Sequence, residues 1–136
     1  VKLASLGARL PEPAELAGQI ALGRSMLGAT ILAAPVVSLR FLGADTAARR
    51  VNWLTRMTAI RDSAIGIGGV LAARRGGSAV VPWLVAGAAS DVVDAVVISK
   101  ALRDGRLKGI APTATVPVAA LTALAGVVTA VRLRGK

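Results

Sequence analysis

Six ionisable side chains stand inside otherwise apolar sequence: Arg24, Arg56, Arg61, Asp62, Asp91 and Asp94. Asp91 and Asp94 are spaced i, i+3, which on a helix puts both carboxylates on one side. Such a pair could hold a divalent cation or pass a proton. Arg61 and Asp62 are adjacent, so one helix presents both signs of charge at one level. The chemistry open to these groups is narrow, because the chain has no His and no Cys. That removes a Ser-His-Asp triad, an imidazole shuttle, an ordinary zinc site and any thiolate. No metal or other cofactor is expected, and no catalytic residue is assigned. Ser25, Ser63, Ser90 and Ser99 lack a base partner and are expected to hydrogen-bond within helices.

The segments that carry these charges look like membrane helices. Four long apolar stretches run over Leu16–Leu39, Val51–Ala73, Ser78–Ser99 and Ile110–Val131. Each approaches the ~20 residues that a helix needs to cross a ~30 Å hydrocarbon core. A chain of 136 residues that is 54% hydrophobic must bury that surface somewhere. A soluble bundle needs a polar face on every helix, and Ala111 to Ala130 contains no charged residue. Three aromatic residues, Phe41, Trp53 and Trp83, are too few for a base-stacking platform. The sequence therefore predicts an all-α, integral-membrane four-helix bundle forming a single domain over residues 1–136, with no nucleic-acid partner.

Charge distribution agrees with that prediction. Of 17 Lys and Arg and 7 Asp and Glu, three of each sign fall inside the stretches, so the whole net charge of +10 lies on the flanks. Basic edges suit contact with headgroups. In particular, Arg103, Arg106 and Lys108 are expected to meet anionic lipid. Short connections, such as Arg74-Arg75-Gly76-Gly77, force successive helices to be antiparallel. Seven flanking Lys and Arg fall on each side, including Lys2, Arg9 and Lys136 on the side of the termini, so the positive-inside rule does not choose an orientation.

Depth along the helices suggests which charges meet. At 1.5 Å per residue, Arg61 and Asp62 lie near the midplane, with Asp91 roughly 4 Å, Asp94 roughly 8 Å and Arg56 roughly 9 Å to one side. Arg24 lies roughly 5 Å to the other. By level, Asp94 would pair with Arg56, Asp91 with Arg61, and Asp62 with Arg24. Small residues mark the packing faces: Gly28, then Gly66 and Gly69, then Gly87, then Ala119, Ala123, Gly126 and Ala130. Such positions let helix backbones approach closely in lipid.

Two motifs fail on inspection. Asp91-Val92-Val93-Asp94 shares its spacing with integral-membrane CDP-alcohol phosphotransferases, but Ala95 stands where that family has Gly, and no second acidic pair follows. Gly66-Ile67-Gly68-Gly69 lies mid-span without a preceding strand or a following Lys-Ser/Thr, so it is no phosphate loop. A wider resemblance covers Leu16 to Arg106. Leu22-Gly23-Arg24 with Gly28 and Pro35, Ala59-Ile60-Arg61-Asp62 with Gly66, and Ala86-Gly87 with Asp91 and Asp94 together resemble an uncharacterised family of small four-helix bacterial membrane proteins. In that family an Arg-Asp pair in the second helix and a late Asp in the third recur, which Arg61, Asp62 and Asp94 would match. The Ala/Val/Arg-rich composition is similar to that of actinobacterial proteins, and no activity is implied.

A chain this short, with small loops, has little with which to transform a soluble substrate. The expectation is a non-enzymatic accessory or structural subunit of a larger complex in the bacterial inner membrane, with an envelope or lipid transporter as one host. The rival is a small independent oligomeric carrier or channel with an Asp/Arg polar path.

Overall fold

The computed structural model describes residues 11–41 and 49–135, with side chains from residue 52 onward in the second segment. Lys2, Arg9 and Lys136, counted above among the flanking cations, lie outside the described residues, as does most of the first connection. The chain is all-α: α1 (Pro13–Ala33), α2 (Pro35–Phe41), α3 (Arg49–Arg75), a 3-10 turn (Gly77–Val80), α4 (Val81–Arg103) and α5 (Ile110–Arg134). Among the described residues there is no strand.

Among the described residues five α-helices form, where the sequence predicts four. The first apolar stretch divides at Pro35, which has no N–H to donate and disfavours the α conformation in the residue before it. Ala34 accordingly leaves the helix, with φ −135° and ψ 59°. Its own N–H still bonds Thr30 O, and Ser38 N–H bonds Ala34 O, so the chain turns without orphaning its backbone.

Among the described residues, three helices are long and apolar enough to cross a membrane: Pro13–Ala33, Gly77–Arg103 and Ile110–Arg134. α3 is the longest, at 27 residues. It is not among the three, because Arg56, Arg61 and Asp62 interrupt its apolar run.

Two antiparallel pairs make the body, α1 against α3 and α4 against α5, joined by lighter α1–α5 and α3–α4 contacts. The hairpin between α3 and α4 turns on Gly76 and Gly77, at φ 77° and 62°, values that L side chains rarely adopt. After α4, Gly105 at φ 68° ends the helix, and Arg106 N–H closes back on Ala101 O.

Small residues are inside and large ones outside. The buried apolar residues are mostly alanines, among them Ala17, Ala21, Ala59 and Ala72 in the first pair and Ala88, Ala119, Ala123 and Ala130 in the second. Leu22, Met26, Ile60, Val96, Leu121 and Leu124 are all more than half exposed. A water-soluble bundle sorts its side chains the other way. Helices that associate in lipid gain nothing by burying Leu and gain van der Waals contact by burying Ala and Gly.

The α1–α3 seam shows how close that approach becomes. A Cβ on Gly28 would meet Ser63 Oγ, and would stand 2.7 Å from Ser63 N and 2.8 Å from Ala59 O. One on Gly66 would stand 2.5 Å from Ser25 N, and one on Gly69 2.9 Å from Ala21 Cβ. In the other pair Gly126 lies against Leu84 O, 3.3 Å from an added Cβ, with Ala88 beside it.

Candidate functional site

Two arginines and three aspartates join α1, α3 and α4 into one ionic chain. Arg24 reaches from α1, where it donates from Nη1 to Asp62 Oδ1 at 3.0 Å and pairs through Nη2 with Asp91 Oδ2 at 2.5 Å. Nη2 also donates to the Gly87 carbonyl at 3.2 Å. Arg61, on α3, holds both oxygens of Asp94, Oδ2 at 2.7 Å and Oδ1 at 3.3 Å. It donates as well to Asp62 Oδ1, at 3.2 Å from Nη2 and 3.3 Å from Nε. The order is Asp91, Arg24, Asp62, Arg61, Asp94, with Asp62 shared by the two guanidinium groups.

The expected Arg24–Asp62 contact is present, and the other two pairings are exchanged. Asp91 meets Arg24 rather than Arg61, and Asp94 meets Arg61 rather than Arg56. Side-chain direction explains the second exchange. Side chains on a helix lean towards its N-terminus, so Arg61 reaches back along α3 to the level of Asp94. Arg56 lies five residues earlier and about 140° around the helix. It turns away from α4, exposed, with Nε 3.4 Å from Asn52 Oδ1, and stands outside the ionic chain. The first exchange is permitted by Gly87. A Cβ there would come 3.1 Å from Arg24 Nε, so the missing side chain lets the guanidinium lie across α4 and continue to Asp91.

The two halves differ in exposure. Side chains of Arg24, Asp62 and Asp91 are 11%, 7% and 13% exposed, against 34% for Arg61 and 30% for Asp94. A cavity beside the inner half, lined by Arg24, Gly87, Asp91 and Thr122 among others, measures about 10 Å³, room for one water molecule. Among the described residues, no group of three His, Cys, Asp or Glu side chains is arranged to share a metal ion.

Of the basic loop, Arg103 and Lys108 are exposed, while Arg106 is paired with Asp104 at 2.7 Å. That pair is on the surface, and the Arg106 side chain stays 72% exposed.

The serines answer the expectation only in part. Ser25 Oγ donates to Ala21 O within α1 at 3.0 Å, but Ser63 and Ser90 have buried hydroxyls without a hydrogen-bond partner, as does Thr129 in α5. Trp83 packs its ring on Gly68, which fixes the register of α4 against α3. Trp53 lies in the second turn of α3, so the two indoles are about 22 Å apart along α3. Trp at both ends of an apolar span is the pattern of membrane interfaces, and Asp62 falls between the two. The signal was readable: two tryptophans near opposite ends of neighbouring helices. No family model, curated protein or solved structure matches the chain.

Proposed function

We propose that the protein is a multi-pass inner-membrane subunit without catalytic activity of its own, an accessory or structural part of a larger complex. The observation that carries this reading is the sorting of side chains: the buried apolar residues are mostly alanines, and large apolar residues cover most of the outside. That is a surface made for lipid or for other helices, and the cavity at the ionic chain is far smaller than a substrate pocket. In this reading α3 is a fourth crossing, sheltered by α1 and α4, and its charges are met by theirs. The ionic chain ties the two helix pairs together at mid-depth. An envelope or lipid transporter is one host that fits a bacterial chain of this build.

A carrier or channel needs a wet path, and the cavity at the ionic chain has the volume of one water molecule. Purification from native membranes in mild detergent tests the choice. Co-elution with a much larger assembly is expected. A lone homo-oligomer that carries ions across liposomes would replace this reading with the carrier.

A further inference from the structure

We infer that the seam between α3 and α4 is a docking face for a transmembrane helix of another protein, one that carries a lysine or arginine at mid-depth and seats it against Asp94. This rests on the accessory-subunit reading and names the chemistry of the contact.

Charge balance comes first. The ionic chain holds two guanidinium groups and three carboxylates, so one carboxylate is in excess. Charge at membrane depth is costly and is ordinarily paired. The third intramembrane cation of this chain, Arg56, cannot supply the balance from where it stands. A second copy is no better placed. A two-fold dimer uses the same patch on both subunits, and Arg56 lies about 140° around α3 from Arg61, off this face.

Access comes next. Asp62 and Asp91 are closed in by α1 and α4, whereas Asp94 keeps 30% of its side chain exposed. Around it the rim is apolar and open. Met57 and Ala64 flank Arg61 at i−4 and i+3, and Val97 flanks Asp94 at i+3, all exposed. Ser90, four residues before Asp94 on the same side of α4, is 8% exposed, and its hydroxyl has no partner. The seam is therefore short of polar partners from its own helices. A lipid chain offers no donor; a lysine ammonium offers three and the missing charge.

Host–guest helices in liposomes provide the test. Labelled protein is mixed with synthetic Leu/Ala transmembrane helices bearing a single central Lys, Leu or Glu, and association is read by energy transfer. The Lys helix is expected to bind on the order of tenfold more tightly than the Leu helix, and the Glu helix no better than Leu. Asp94→Asn leaves two charges of each sign, so it should keep the fold and lose the Lys preference. Val97→Trp, which obstructs the rim and leaves the charges intact, should weaken Lys-helix binding without altering thermal stability. Equal binding of all three helices, a Lys preference that survives Asp94→Asn, or a stable homodimer that covers the face would each overturn the inference. A native partner with no Lys preference would sink the docking face alone. A Lys preference with no native partner would sink the subunit reading and leave the face standing.

Discussion

The inner and outer halves of the ionic chain use the same two kinds of side chain at nearly the same depth, yet only one is sealed. Around Arg24, glycine does the sealing. Gly28 and Gly66 bring α1 onto α3, and Gly87 lets the guanidinium rest on α4. Around Arg61 the helices are in lighter contact: α3 and α4 approach closely where the Trp83 ring meets Gly68, about 10 Å along α3 from Arg61. Close backbone approach at a few glycines thus seals one half of the ionic chain, and the other half stays more exposed. Charge alone would not have told the halves apart.

The largest test of this contrast is Arg24→Ala. It strands Asp91 in a closed site and leaves Asp62 with Arg61 alone, and breaking a buried pair typically costs ~3–5 kcal/mol. Unfolding in mixed micelles should show a loss of that order, or the protein should fail to accumulate. A loss under 1 kcal/mol would mean that the inner half is hydrated and no more closed than the outer.

Next in size is the seam itself. Gly28→Leu drives a side chain into Ser63 and the Ala59 carbonyl, and overpacking of this kind costs ~1–3 kcal/mol. The same substitution at Gly18, whose added Cβ would meet nothing within 4 Å, should change stability little. Equal effects at the two positions would show that α1 and α3 are not in backbone contact.

The finest discrimination comes from double-mutant cycles. Arg61 with Asp94 should couple by about 1 kcal/mol, within the range of interhelical polar contacts in membranes. Arg56 with Asp94, and Arg61 with Asp91, should couple by no more than experimental error. Significant coupling in either of the latter would restore the pairings that depth alone suggests.

How these pairings were misjudged shows what the sequence makes legible. Apolar length and composition placed the long helices, and the clustering of Arg24, Arg61, Asp62, Asp91 and Asp94 is evident from their burial in apolar runs. Depth along an axis follows from residue count. Azimuth does not, because it depends on which face each neighbouring helix covers; Arg56 shared the level of Asp94 and faced elsewhere. The break at Pro35 is visible as a residue type, but apolar length alone runs Leu16–Leu39 together as one stretch. The α1–α3 register depended on contacts of Gly28 with Ser63 and of Gly66 with Ser25, which no periodicity reports. The Trp83–Gly68 contact required knowing that a ring would find a missing Cβ on the next helix.

α3 is the longest helix and the one that is not apolar enough to cross unaided, and this bears on how the protein is made. Each charge at the centre of a lone helix adds ~2.5–3.5 kcal/mol to the work of entering the bilayer, and α3 carries both Arg61 and Asp62 there. α1 precedes it and brings Arg24 for Asp62, but Arg61, which shares Asp62 with Arg24, gains a second carboxylate only when α4 emerges with Asp94. If α3 is the fourth crossing proposed above, synthesis order makes it a late arrival in the lipid, held near the insertion machinery until the α3–α4 hairpin is complete. Chains truncated after Arg75 should leave α3 untranslocated in a glycosylation-mapping assay, and chains extended through Arg103 should insert it. Efficient insertion of the shorter chain would show that Arg24 alone suffices to bring α3 into the membrane.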